Sequence, residues 1–395
     1  MPLTVTSFDA TQISPYCKGY QDAAFNGQKA FFGPYRRKDV SGSVPHGWFL
    51  AYDTGKPFTS AGSWETADLA ALVDPAAQGM LGVVIDSTTG KLLLVPYEKD
   101  IGYGKVPNDL AVLFDTSRPL TDPAAYQKYH IGGALVGWAS GTFLHPHFYL
   151  CPVNNVSTGA LHGRLVRYDV RKPFARRTSW QSFAVTAVHS DAMGFQSTGN
   201  DGRWVSFGPF ARTVAVRYDS TKPFRSASSY DTVDLTDPQL GGANAKGYTG
   251  IVVAPIPRAS GAYIYYVPWC WHGPGSTVTY LSTAARYDNR KPFTDPTAWE
   301  FFDMATVNAV AKGYEGGWYD NKTVNFVSTF NGVDPPPVAS HDPGRPLNDP
   351  GAWTFTNVPV TYPPSTGAAF DVNAAAYAAP YGIDGDSGVV HRFAR

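Results

Sequence analysis

The sequence predicts an all-β fold built from one four-stranded unit copied seven times, with the last copy completed by the N-terminus of the same chain. Three observations carry this prediction. A fixed punctuation mark recurs along the 395 residues, short segments rich in Val, Tyr and Phe precede each mark, and the two chain ends have complementary gaps. A repeat of this length settles the architecture before any local reading does.

The mark is an aromatic–Asp step, a Pro four residues after the Asp, an apolar anchor one later and an aromatic six beyond that. It reads Tyr52-Asp53, Pro57, Phe58, Trp64, and then Phe114-Asp115, Pro119, Leu120, Tyr126. It returns as Tyr168-Asp169, Pro173, Phe174, Trp180, as Tyr218-Asp219, Pro223, Phe224, Tyr230, and as Tyr287-Asp288, Pro292, Phe293, Trp299. A worn copy, His341-Asp342, Pro346, Leu347, Trp353, comes last, and successive aspartates lie 62, 54, 50, 69 and 54 residues apart. Asp accepts hydrogen bonds from amides just downstream and Pro pre-sets a turn, so the mark reads as scaffold. The alternative is a binding site repeated in every unit.

Each unit opens with a glycine-led apolar segment, followed by a second apolar segment ending in Pro, as in Gly247–Val253 and Tyr263–Trp269. A third segment runs into the aromatic–Asp step and a fourth surrounds the last aromatic. Hairpin signals join the first two segments at Asn26-Gly27, Thr89-Gly90, Asp201-Gly202 and Ser260-Gly261. Short alternating segments between turn residues read as strands, and no sustained helical period appears. Four strands per unit, repeated radially, is the pattern of a β-propeller.

The ends set the blade count. Phe8-Asp9 followed by Lys18-Gly19-Tyr20 matches Phe302-Asp303 followed by Lys312-Gly313-Tyr314, so residues 3–8 read as an outermost strand without a blade. Residues 361–395 carry three strands and stop where the mark should begin. Together they make a seventh four-stranded antiparallel blade, and closure removes an aggregation-prone edge. The alternative is six blades with a C-terminal tail. The whole of 1–395 reads as a single domain.

Basic and acidic residues balance at 32 each, which implies no nucleic-acid or membrane field. No apolar run is long enough to span a bilayer, and the opening Met-Pro-Leu-Thr-Val does not read as a secretory signal. Cys17, Cys151 and Cys270 show neither metal spacing nor a disulfide framework. A cytoplasmic monomer is the simplest reading, with secretion after removal of a signal as the alternative.

In a propeller the connections from second to third strand share one face with those leading to the next blade. Here these loops differ from unit to unit: 35–46, 97–108, 154–162, 269–280 and 331–338. Variable loops on a regular scaffold carry function. His46 and His162 precede equivalent third strands, and with Tyr35 and Tyr97 they form the candidate catalytic set for acid–base chemistry near neutral pH. Arg36, Lys18, Lys246 and Lys312 could hold an anionic group, while Trp269, Trp271 and His272 could stack on or bond a sugar or small flat ligand. His145-Pro146-His147 resembles a ligand pair but reads as a turn, as does Asp384-Gly385-Asp386. No cofactor is expected, with a divalent metal at the channel mouth as the alternative. Glutamate occurs only at Glu65, Glu98, Glu300 and Glu315, so no carboxylate pair announces a glycosidase.

The repeat resembles seven-bladed β-propeller proteins in general across nearly the whole chain, which implies a fold and no activity. Some seven-bladed polysaccharide lyases and a lactone-ring lyase place His, Tyr, Arg or a metal at the channel mouth. This sequence has those residue types in the corresponding loops, with no motif to carry over. Two expectations follow: a lyase-type enzyme acting on a small or glycan-like, anionic substrate, or a non-enzymatic propeller that binds carbohydrate or protein.

Overall fold

A computed structural model describes residues 3–40, 42–102, 104–242, 245–272, 278–358, 365–371, 375–382 and 385–395. It is all-β, with seven four-stranded antiparallel blades, and so is a seven-bladed β-propeller. Besides short 3-10 turns, the described residues hold one four-residue α-helix, Leu69–Leu72. No helix is long and apolar enough to cross a membrane.

The chain forms two compact units, residues 1–182 with 363–395, and residues 183–362. In the first unit, one blade has the strand order Tyr20–Phe25, Lys29–Pro34, Trp48–Asp53, Trp64–Asp68. The inner strands Ser365–Asp371, Tyr20–Phe25, Met80–Asp86 and Trp138–Leu144 pack in that order, each on the next. The second unit repeats this with Phe195–Asn200, Tyr248–Pro255 and Tyr314–Tyr319.

The seventh blade is shared by both termini. Thr4–Asp9 pairs antiparallel with Val389–Ala394, in a register that sets Thr4 opposite Ala394 and Phe8 opposite Val390. Val389–Ala394 in turn pairs with Ala375–Pro380.

Core side chains fill the space between successive blades. Phe31 and Phe49 of one blade, for example, pack with Val83, Leu92 and Phe114 of the next. Phe8, Tyr52, Trp64, Tyr377 and Val390 close the junction with the shared blade. Apolar burial therefore ties neighbours together, which is why no single blade is a stable unit.

The punctuation is a backbone-satisfying turn from third to fourth strand. Oδ1 of Asp53, Asp115, Asp169, Asp219, Asp288 and Asp342 accepts the amide two residues on, at 2.9–3.2 Å. The aromatic at the far end donates to the carbonyl of the apolar anchor six residues back. Trp64, Trp180, Trp299 and Trp353 do so through the indole N–H, and Tyr126 and Tyr230 through the phenol, at 2.6–3.0 Å. This uniform use of local acceptors makes the mark a scaffold element. His145-Pro146-His147 is also a hairpin turn, between Trp138–Leu144 and His147–Pro152. Asp384 lies outside the described residues.

Removing residues 1–9 takes away the outer strand of the shared blade and exposes the edge of Val389–Ala394. A markedly lower melting temperature or aggregation is expected, measured by calorimetry and light scattering. An unchanged melt would contradict closure by the N-terminus.

Candidate functional site

The geometry of the site begins with a row of glycines that open the inner strands. Gly19, Gly79, Gly137, Gly194, Gly247 and Gly313 all have positive φ, between 62° and 116°. A Cβ at Gly19 would sit 1.6 Å from the Arg36 carbonyl oxygen, and one at Gly313 would sit 1.9 Å from that of Phe330. The demand for glycine comes from the left-handed conformation and from the chain leaving the second strand of the same blade.

Each glycine carbonyl then accepts an amide from just beyond that second strand. Tyr35, Tyr97, Val153, Phe210, Trp269 and Phe330 donate in this way. In the first unit the Tyr35 ring stacks on that of Tyr381, with centroids 6.0 Å apart at 22°, and lies tilted 6.1 Å from that of Tyr97. The Tyr97 hydroxyl donates to Oδ1 of Asn154 at 3.0 Å.

Beyond Tyr35 and Tyr97 the loops become two hairpins. The first pairs Arg36–Asp39 with Gly42–Pro45, and the second pairs Glu98–Asp100 with Lys105–Pro107. Their bases are joined by Arg36, whose Nε and Nη2 donate to the two oxygens of the fully buried Glu98. Burial works against the Arg36 charge, and the Glu98 bonds overcome it and raise the guanidinium pKa. A planar fork on a carboxylate fixes orientation as well as distance. The pair therefore sets how far apart the hairpins stand.

Between the hairpins lies a groove of about 590 Å³, lined by Arg37, Asp39, Ser43, His46 and Trp48 on one side and Asp100 and Lys105 on the other, with Asp68 and Gln78 below. Trp48 stacks on Tyr16 with ring centroids 5.0 Å apart, and the Arg37 guanidinium lies over the same Tyr16 ring, 5.0 Å from its centroid. Asp68 accepts the Ala70 amide at 3.1 Å and Asp100 accepts that of Gly102 at 2.9 Å, which orients both carboxylates.

His46 and His162 do not stand as free acid–base groups. Both are buried. His46 Nε2 lies 3.2 Å from the Gly19 carbonyl, and its Nδ1 accepts the Trp48 amide at 3.2 Å. His162 repeats this, with Nε2 at 3.0 Å from the Gly137 carbonyl and Nδ1 accepting the Arg164 amide at 3.3 Å. Burial pushes the His46 pKa down to about 3, against the Gly19 bond and aided by nearby Arg37. Burial likewise takes His162 to about 4. The expectation of two imidazoles ready to exchange protons near neutral pH is corrected: each is a neutral tie between backbone segments. Tyr35 and Tyr97 are also buried, and burial raises both phenol pKa values.

The remaining expected residues are spread over both units. Lys18 is half-buried at the start of the first inner strand. In the second unit, Lys246 places its ammonium 4.1 Å over the Trp271 ring, and Trp269 stacks on Phe210 at 6.1 Å. Lys312 is half-buried before Tyr314–Tyr319. The His272 side chain lies outside the described residues. Among the described residues no cluster of three or more His, Cys, Asp or Glu side chains is placed to hold a metal ion.

Sequence reasoning missed Arg37, Trp48, Tyr16 and the groove's carboxylates. It also missed Asp22, set where the first inner strand bulges between Tyr20 and Ala23. Its Oδ2 accepts the Val83 amide of the next blade at 3.0 Å and its Oδ1 accepts that of Ala23 at 2.8 Å, while burial raises its pKa to about 7. One signal for the histidines was legible. Asn108 fills the same slot in the second blade, bonding the Ala76 and Gln78 carbonyls at 2.8 and 2.9 Å, and asparagine moves no proton.

No family model matches the sequence, and no curated protein matches it. Solved structures share its fold. A streptogramin B lyase superposes with a TM-score of 0.61 at 10% identity, covering 100% of this chain and 98% of that one. Virginiamycin B lyase from Staphylococcus aureus gives 0.61 at 9%, covering 100% and 99%. The β-propeller domain of Cps50 (Swd1) from Myceliophteria thermophila gives 0.54 at 10%, covering 95% and 96%. At these identities the likeness is one of fold.

Two predictions follow from the geometry. Glu98→Gln leaves the half-buried Arg36 cation without its counter-ion and should cost about 3–5 kcal/mol, read from urea unfolding. A loss below 1 kcal/mol would mean that the hairpins are held by other contacts. The histidines set a pH dependence. His46, His162, His147, His341 and His391 are held neutral by burial, with values of about 3 to 4 against an unfolded 6.5. Between those values only the unfolded chain takes up the protons. This contribution to stability is therefore complete above pH 6.5 and is lost as pH falls towards 4. Asp22, raised from 3.8 to about 7, works in the opposite sense as one group against five. The melting temperature should fall steadily from pH 7 to pH 4; a flat profile would show that the imidazoles are not buried and neutral.

Proposed function

We propose that this protein is a non-enzymatic carbohydrate-binding propeller whose site is the groove between the two hairpins. The observation that carries the reading is the lining of that groove: oriented carboxylates Asp68 and Asp100, the cations Arg37 and Lys105, and the Trp48 ring within one concavity of about 590 Å³. Its size falls within the roughly 300–1,000 Å³ of small-molecule sites. Sugar hydroxyls both donate and accept, so a mixed set of carboxylates and cations suits them, and an amphipathic ring suits their C–H faces. Binding is favoured over turnover because a general base must reach the proton that it removes. His46 lines the groove with both nitrogens already committed to backbone.

A second reading, a protein partner, is favoured by the hairpin tips. Val40 is fully exposed and Ile101 partly so, and each directly follows the first strand of its hairpin.

The test is calorimetric titration of the full chain with a panel of oligosaccharides, alongside mass analysis of each sugar after incubation. Binding with unchanged sugars is expected, weakened at least tenfold by Trp48→Ala with an unchanged melting temperature. Loss of binding in Val40→Ser with Ile101→Ser, and not in Trp48→Ala, would favour the protein partner. A new unsaturated product would restore the lyase reading.

A further inference from the structure

Arg37 differs from Arg36, Arg164 and Arg167, which are also half-buried in its unit. The Arg36 fork is filled by Glu98, and Nη1 of Arg164 donates to the Gly132 and Leu135 carbonyls at 2.6 and 2.9 Å. Nε of Arg167 donates to Oε1 of Gln181 at 2.9 Å. None of the Arg37 N–H groups has an acceptor among the described residues, and its Nε is enclosed without a hydrogen bond. An enclosed donor on a charged group costs free energy until something accepts from it.

The guanidinium is nevertheless held in place. Arg37 sits opposite Val44 in the first hairpin, so the strand pairing fixes its direction. The Tyr16 ring lies under it at 5.0 Å, and Tyr16 is braced by Trp48. Neither Asp68 nor Asp100 accepts from it: each takes a local amide through Oδ1, and His46 uses its Nδ1 lone pair for the Trp48 amide. A rigid, stacked and unanswered guanidinium in a groove is the arrangement that receives a planar carboxylate.

We propose that the ligand of this groove is an acidic sugar, a uronic acid unit whose carboxylate is received by Arg37 while Trp48 faces the ring and the aspartates accept hydroxyls. This rests on the carbohydrate reading above and narrows it. Phosphate would be received less well, because a second or third negative charge would meet Asp39, Asp68 and Asp100 in the same groove.

The test compares matched pairs of oligouronates and their methyl esters, which differ in charge and little else, by calorimetric titration against the full chain. The acid should bind at least tenfold more tightly than its ester, with a preference that shrinks as salt is added. Arg37→Gln should level acid and ester, and Arg37→Lys should keep part of the preference; melting temperatures confirm that both variants fold. Equal binding of acid and ester, or a preference that survives Arg37→Gln, overturns the acidic-sugar assignment and leaves the carbohydrate reading standing. Binding of neutral oligosaccharides alone does the same, whereas binding of no sugar at all overturns both.

Discussion

The carbonyl of Gly19 is the constraint on which the site depends. It accepts from the amides of Tyr35 and Arg36 at 3.2 and 3.1 Å and lies 3.2 Å from His46 Nε2. Only a residue without a side chain fits there, since the Arg36 carbonyl occupies the place of a Cβ. Three consequences follow from this one contact. The chain leaves the second strand in a fixed direction, Arg36 is delivered to Glu98, and the start of the third strand is tied back by His46. The hairpins and the groove between them are what that geometry leaves over.

The two ends of each blade divide the work. At one end the Asp–Pro–aromatic turn satisfies its own backbone and is copied with little change, because any unpaired amide buried there would be costly. At the other end the glycine carbonyl sets a common starting point, and the loops then diverge. Arg36 and Glu98 occupy the same position in consecutive blades, as does Asn154 in the next, so the same backbone slot yields a cation, an anion and an amide. Asymmetry in the site is thus built on symmetry in the scaffold.

Buried histidines illustrate how residue type can mislead. His46 and His162 have the chemistry of a proton shuttle in water. Enclosed, with one nitrogen at a carbonyl and the other accepting an amide, each becomes a neutral two-sided clasp. Asn108 performs the same clasp with an amide group. The interchange of His and Asn at equivalent positions is a mark of hydrogen-bond geometry rather than of acid–base function. Arg37 is the converse case: an unremarked residue in a basic run that becomes informative only when its neighbours are seen to be taken.

The sequence by itself determined the blade count, the closure by an N-terminal strand and the scaffold role of the punctuation. These rest on interactions between residues close in the chain or on a period, so spacing alone encodes them: Asp to the amide two on, Trp to the carbonyl six back. It also placed variability in the hairpin loops. It did not determine which loop residues are committed and which are free. That was decided by contacts between residues far apart in sequence, such as Arg36 with Glu98, or Arg37 and Trp48 with Tyr16. Whether a charge is answered depends on which side chain of the next blade reaches it, and no repeat pattern records that.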